Sequence, residues 1–121
     1  MSNPRVLVCG DRWWTSLKAI ADVLAEYPPG TVVIHGAAAG ADYFAGVAAA
    51  KLGFKVEPYP ADWDKYGRAA GPVRNSLMLS HGKPTEVHAF HEHIEQSTGT
   101  KDMVAKARRA GLLVTVHTDP W

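Results

Sequence analysis

The segment with most chemistry in it is Trp63-Asp64-Lys65-Tyr66-Gly67-Arg68-Ala69-Ala70-Gly71-Pro72-Val73-Arg74-Asn75. Trp63 and Tyr66 can stack on a planar base, and the guanidinium groups of Arg68 and Arg74 can fork onto a phosphate or carboxylate. Asn75 adds an amide that both donates and accepts. A solvated connector, its arginines paired with Asp62 or Asp64, is the plainer reading. Long loops in compact domains are often functional, however, and the segment is read here as a binding loop. Gly10-Asp11-Arg12, Gly36-Ala37-Ala38-Ala39-Gly40-Ala41-Asp42 and Ser97-Thr98-Gly99-Thr100 each stand at a turn into a helix-like stretch. Gly36 and Gly40 let backbone approach a ligand, and the free N–H groups of a helix start suit an anion. Either glycine loop alone is ordinary turn chemistry. Two of them on one sheet edge, with Arg12, Arg68 and Arg74 nearby, indicate an anion site. His35, at the mouth of the second strand, is a further ligand-facing candidate.

Other chemistries find less support. Gly36 to Gly40 reads GxxxG rather than GxGxxG, and no GxxxxGK[ST] occurs, which argues against an ordinary NAD dehydrogenase or P-loop ATPase. His91 and His93 would share one side of an extended segment, but no third ligand stands near them, so no metal is expected. His35 and His88 lie in strands and read first as hydrogen-bonded core residues. Cys9 is the sole cysteine, which precludes an intrachain disulfide, and it reads as a buried strand residue rather than a nucleophile.

The elements that must position these residues follow from the hydrophobic pattern. Short apolar runs at Arg5–Cys9, Thr31–His35, Lys55–Tyr59, Glu86–Phe90 and Leu112–Val116 alternate with helix-length stretches. Thr15 or Ser16 can cap the first helix, where Leu17, Ile20, Ala21 and Leu24 recur at i, i+3, i+4 and i+7 before Pro28-Pro29-Gly30. Residues 41–52 are apolar nearly all round, and residues 62–71 read as a long loop. Pro72 suits the first turn of a helix carrying Val73, Leu77 and Met78. A polar loop over 91–99 precedes a last helix, opened by Thr100 or a neighbour, with Met103, Val104, Ala107 and Ala110 facing inward. The order β-α-β-α-β-α-β-α-β, with nearly all-apolar strands, predicts a Rossmann-like three-layer α/β/α sandwich around a mainly parallel five-stranded sheet. Ligands of such sheets bind beyond the carboxyl ends of the strands, where the loops above lie.

The totals set the bounds. At 121 residues, 46% hydrophobic and 21% charged, the chain is one domain's worth with room for a core. A net charge of +1 argues against a nucleic-acid partner bound through many phosphates. No apolar run approaches the ~20 residues that span a bilayer, and MSNPR leads straight into VLVCG without a signal segment. A cytoplasmic protein with no membrane attachment is expected.

Together VLVCGDR, HGAAAGAD, DWDKYGRAAGPVRN and STGTKDMVAKARRAG resemble the YspA/YpsA-related branch of the SLOG superfamily. That superfamily also contains DNA-processing protein A and the LOG-type phosphoribohydrolases. The resemblance runs from Arg5 to Val116 and implies a Rossmann-like fold that binds nucleotides or nucleotide-derived ligands, as enzyme or as sensor. It places Gly10 and Arg12 at the first strand's part of the site, and Gly36, Gly40 and Asp42 along the second loop. Arg68, Arg74 and Asn75 would then face the ligand, and Thr98, Gly99 and Thr100 would cradle a phosphate. Two departures bear on function. The branch commonly shows GGARGAD, where this chain has Ala37 and Ala39 in place of a glycine and an arginine. The phosphoribohydrolases carry PGGxGTxxE, whereas here the position of the glutamate is Met103, with Asp102 beside it. The leading expectation is therefore a binding protein for a nucleotide-type ligand, requiring no cofactor. A phosphoribohydrolase-like N-glycosidase using Asp42, Asp62, Asp64 or Asp102 is the first alternative, and single-stranded nucleic acid binding is the second. Relatives suggest a homodimer or higher homo-oligomer, with Trp13, Trp14 and Trp121 as candidate contacts, Trp13 and Trp14 reading equally as a hydrophobic lid.

Overall fold

The computed structural model describes residues 3–120; the contact expected of Trp121 lies outside them. Strands β1 (Arg5–Gly10), β2 (Val32–His35), β3 (Lys55–Pro58), β4 (Glu86–Phe90) and β5 (Leu113–His117) form one parallel sheet in the order β3-β2-β1-β4-β5. Helices α1 (Leu17–Leu24) and α2 (Ala41–Lys51) cover one face, and α4 (Ala70–Ser80) and α5 (Gly99–Arg109) cover the other. A single turn, α3 (Trp63–Tyr66), leads through a 3-10 turn at Gly67–Ala69 into α4.

The pleat of β1 explains the layering. Val6 and Val8 point into the α1–α2 layer with Ile20, Leu24, Val33 and Phe90. Leu7 and Cys9 point into the α4–α5 layer with Ile34, Met78, Val87 and Met103. A strand buried on both faces must be apolar at every position, and RVLVC is so after its first residue. Each such side chain, fully buried, contributes about 1.5–3 kcal/mol. Burial also pushes the Cys9 thiol far up, with the nearby Asp42 charge adding to the effect, so it is an inert core group.

Ser16 caps α1, its hydroxyl accepting from the Ala19 N–H at 3.0 Å, and Ile20 and Leu24 are buried on its inner face. The stretch 62–71, expected to be a loop, is largely helical. Asp62 caps α3 by accepting from the Lys65 N–H at 3.1 Å. Pro72 then falls within the first turn of α4, where a missing N–H costs nothing. Ala110, expected in the core, is exposed at the cap of α5. β5 starts one residue late because the Leu112 N–H is held by the Ala107 carbonyl at the end of α5. No helix among the described residues is long and apolar enough to cross a membrane.

Candidate functional site

β1 is paired with β2 on one side and β4 on the other, so the chains leaving β1 and β4 diverge and open a crevice at their carboxyl ends. A cleft of about 640 Å³ lies there. Of the residues singled out in the sequence, Gly10, Asp11, Arg12, Asp42, Trp63, Arg74, Asn75, Ser97, Gly99 and Thr100 line it. Trp13, Ala38, Ala39, Met78, His91, His93, Gln96 and Cys9 complete the wall. Sequence reasoning did not place these in the site, although Trp13, His91 and His93 each follow a strand's carboxyl end closely enough to have been found.

The site is organised around Arg74 and Asp42. Arg74 projects from α4, donating from Nε to Asn75 Oδ1 at 2.9 Å and from a terminal nitrogen to the Gly36 carbonyl at 2.6 Å. Asn75 is buried and donates to the Gly99 carbonyl at 3.1 Å and to Asp102 Oδ2 at 3.0 Å. Its polar atoms are thus committed to holding Arg74 and bracing α4 against α5. Asp102 also pairs with Lys106 at 2.9 Å.

Asp42, at the start of α2, is 5% exposed. Its Oδ2 accepts from the Gly36 N–H at 3.0 Å and the Ala38 N–H at 3.4 Å, while the Ala41 N–H donates to the Asp11 carbonyl at 3.0 Å. The Gly36, Ala38 and Ala41 amides, which the second glycine loop could offer to an anion, are therefore taken up by groups of the chain itself. Burial lifts the Asp42 carboxyl to about 6, against the opposing pull of Arg74 and the two amides. The second helix start is arranged differently. Ser97 Oγ caps the Thr100 N–H at 3.0 Å, and Ser97, Gly99 and Thr100 reach the cleft at the positive end of α5.

Six expected site residues stand outside the wall. His35 is buried beneath the second loop, where its Nδ1 accepts from the Ala37 N–H at 2.9 Å. Burial holds that imidazole below its ordinary range. Gly36 lies behind Arg74, and Gly40, at φ +75°, passes under the Asp11 carbonyl, where a side chain would collide. Tyr66 carries the Lys65 ammonium over its ring at 5.0 Å, Arg68 is exposed on the 3-10 turn, and Thr98 is exposed before α5. Trp14, a candidate subunit contact, is instead 4% exposed and packs edge-on against Phe90 at 5.5 Å. Among the described residues no group of three or more His, Cys, Asp or Glu is placed to hold a metal ion.

Fold and cleft together define a Rossmann-like α/β protein whose candidate ligand crevice sits at the topological switch point. Residues 4–66 match the YspA, cpYpsA-related SLOG family, and the chain belongs to that family. Gene 61 protein of Mycobacterium phage D29 is 39% identical over 119 residues, spanning 91% of this chain and 93% of that one. Among solved structures, DNA processing protein A from Streptococcus pneumoniae superposes with a TM-score of 0.69 at 19% identity. That likeness is one of fold; it covers 94% of this chain and half (50%) of the length of the other.

Proposed function

We propose that the cleft binds a nucleotide or a nucleotide-derived phosphorylated small molecule. One observation carries the reading: a guanidinium fixed by two hydrogen bonds, Arg74, shares a cleft at the switch point with the capped N-terminus of α5. Both attract an anion, and the α5 end can add backbone N–H groups in the manner of other phosphate sites. A small ligand suits a chain of net charge +1 better than a polyanion does. The test is a thermal-shift screen of nucleotides, dinucleotides and sugar phosphates against the wild type and Arg74→Ala. A rise in Tm for one class, lost in the variant, supports the reading, since a ligand of the native state must stabilise it. Absence of any shift across the screen defeats it.

A second reading is favoured by Asp42. Of the four carboxylates considered for N-glycosidic hydrolysis, Asp42 is the one at the cleft wall; Asp62 caps α3 and Asp102 is committed to Asn75 and Lys106. A carboxyl lifted to about 6 is suited to a general acid. Water would add to the anomeric carbon as the C–N bond breaks, the base would leave with the Asp42 proton, and the proton lost by the added water would return to the Asp42 carboxylate. Free base released from a nucleoside monophosphate by the wild type, and not by Asp42→Asn, supports this reading. No turnover of nucleoside monophosphates by the wild type counts against it.

A further inference from the structure

The cleft carries two large aromatic rings left in water. Trp13 is 77% exposed and Trp63 is 60% exposed, and both line the same cleft. They reach it from opposite layers: Trp13 on the connection into α1, Trp63 on the connection into α4.

Neither is exposed because its backbone is loose. Asp11 Oδ1 accepts from the Trp13 N–H at 3.0 Å, and the Asp11 carbonyl accepts from the Trp14 N–H at 3.1 Å. Trp14 is buried, with its indole N–H donating to the Ser16 carbonyl at 3.0 Å. The next residue thus nails the loop down while Trp13 points outward, with the Arg12 guanidinium 5.6 Å from its ring. Trp63 is the first residue of the Asp62-capped turn, and its carbonyl accepts from the Gly67 N–H. Its ring passes over Gly71, where an added Cβ would lie 3.8 Å away in ordinary contact.

Held aromatic faces beside an anion cradle match a ligand with one flat apolar end and one charged end. We infer that Trp13 and Trp63 form the base-side subsite of this cleft, stacking on the nucleobase of a nucleoside phosphate whose phosphate lies toward Arg74 and α5. This rests on the nucleotide reading above and adds the ligand's second half: a bare sugar phosphate is a poor ligand. Stacking depends on ring area more than on edge chemistry, so purines bind more tightly than pyrimidines.

The test is calorimetric titration of the full chain with AMP, CMP and ribose 5-phosphate, using wild type, Trp13→Ala, Trp63→Ala and the conservative Trp13→Phe. Expected affinities fall in the order AMP, CMP, ribose 5-phosphate. Each alanine variant weakens AMP by about 5- to 150-fold, the range for loss of one base-stacking ring. Ribose 5-phosphate is unaffected, and Trp13→Phe retains most of the affinity. Both tryptophans lie outside the core, so an unchanged Tm verifies that the variants are folded. Ribose 5-phosphate binding as tightly as AMP, or alanine variants that leave AMP affinity untouched while altering self-association, overturns the subsite but leaves the phosphate site standing. No binding of any of the three compounds overturns the nucleotide reading and the subsite together.

Discussion

The Arg74 guanidinium donates at 2.6 Å to the carbonyl of Gly36, a residue 38 positions earlier in the chain. This bond ties α4 on one face of the sheet to the loop leaving β2, and the same Gly36 donates its N–H to Asp42. Gly36 is thus the backbone bridge between the cation and the carboxylate of the site, and it has no room for a side chain. A Cβ there would meet the Arg74 terminal nitrogen, lie 2.7 Å from Arg74 Cζ, and lie 2.9 Å from Asp42 Oδ2. Gly36→Ala is therefore expected to cost about 1–3 kcal/mol, the range for overpacking a close-fitted position. It should also displace Arg74 and abolish the ligand-induced Tm rise. Urea denaturation combined with the thermal-shift screen measures both, and wild-type values in both would refute the bridge.

Asp42 makes a pH prediction with a definite sign. Its folded-state value, about 6, lies above its ordinary 3.8, chiefly through burial. Between those values the folded chain binds the proton more tightly than the unfolded chain does. The group's stabilising contribution is therefore complete below pH 3.8 and is lost as pH rises through about 6. Asp42→Asn removes the ionisation, so the variant should gain on the wild type between pH 4.5 and 7.5 by about 2 kcal/mol. Urea melts of the two proteins at both pH values give that difference directly. A constant gap across the range would mean that Asp42 is already charged in the folded protein at low pH.

Much of this was legible in the residues, for reasons that differ by element. The central strand β1 declared itself because burial on both faces forbids polar residues, and α1 because its buried positions recur at helical spacing beside the Ser16 cap. The turn at Trp63–Tyr66 did not, because one turn held by Asp62 is too short to show a period. Nothing local separates Trp13 from Trp14; which one enters the core depends on where Phe90 of β4 lies. The filling of the α2 start by Asp42 was hidden for a related reason. An acidic residue in a helix's first turn is common, and only the loop's path shows that it consumes the amides of Gly36 and Ala38.

A polar chain on the α1–α2 face gives a prediction of opposite slope. His88 Nδ1 lies 2.9 Å from His117 Nε2, and His88 Nε2 lies 2.8 Å from the Tyr27 hydroxyl. Burial, reinforced by the negative charge of Glu86, pushes the Tyr27 phenol up. A neutral imidazole has one N–H, so the chain runs one way: either Tyr27 donates to His88 Nε2 and His88 Nδ1–H donates to His117, or His117 Nε2–H donates to His88 Nδ1 and His88 Nε2–H donates to Tyr27. Nitrogen-15 shifts should find the two rings in the same tautomer, both Nδ1–H or both Nε2–H, and opposite tautomers would break the chain. Burial lowers both imidazoles below 6.5, and the neighbouring His88 lowers His117 further. Their contribution to stability is present above the unfolded value of 6.5 and fades as pH falls through the depressed folded values. Tyr27→Phe leaves His88 Nε2 without its partner and should cost about 1–3 kcal/mol at pH 7.5, measured by urea denaturation.

The second loop carries a strain that the sequence departure predicts can be relieved. Ala37 adopts φ +58°, the left-handed region, where a non-glycine residue costs about 1–2 kcal/mol. Glycine avoids that cost but brings about 0.5–1 kcal/mol of extra unfolded-state entropy. Ala37→Gly is thus expected to stabilise the fold by about 0.5–1 kcal/mol, the difference between these two costs, measured by urea denaturation. Ala39, two residues on, lines the cleft, so Ala39→Arg would place a new cation in the wall without touching the core. For a phosphate-bearing ligand the affinity of Ala39→Arg should rise roughly five- to tenfold at low salt, about 1–1.4 kcal/mol, and the gain should shrink as ionic strength increases. Titrations with AMP at two salt concentrations separate this from a change in shape. A gain that ignores salt would indicate repacking of the loop, and a loss of affinity would place the ligand's anionic end elsewhere in the cleft, away from the turn after β2.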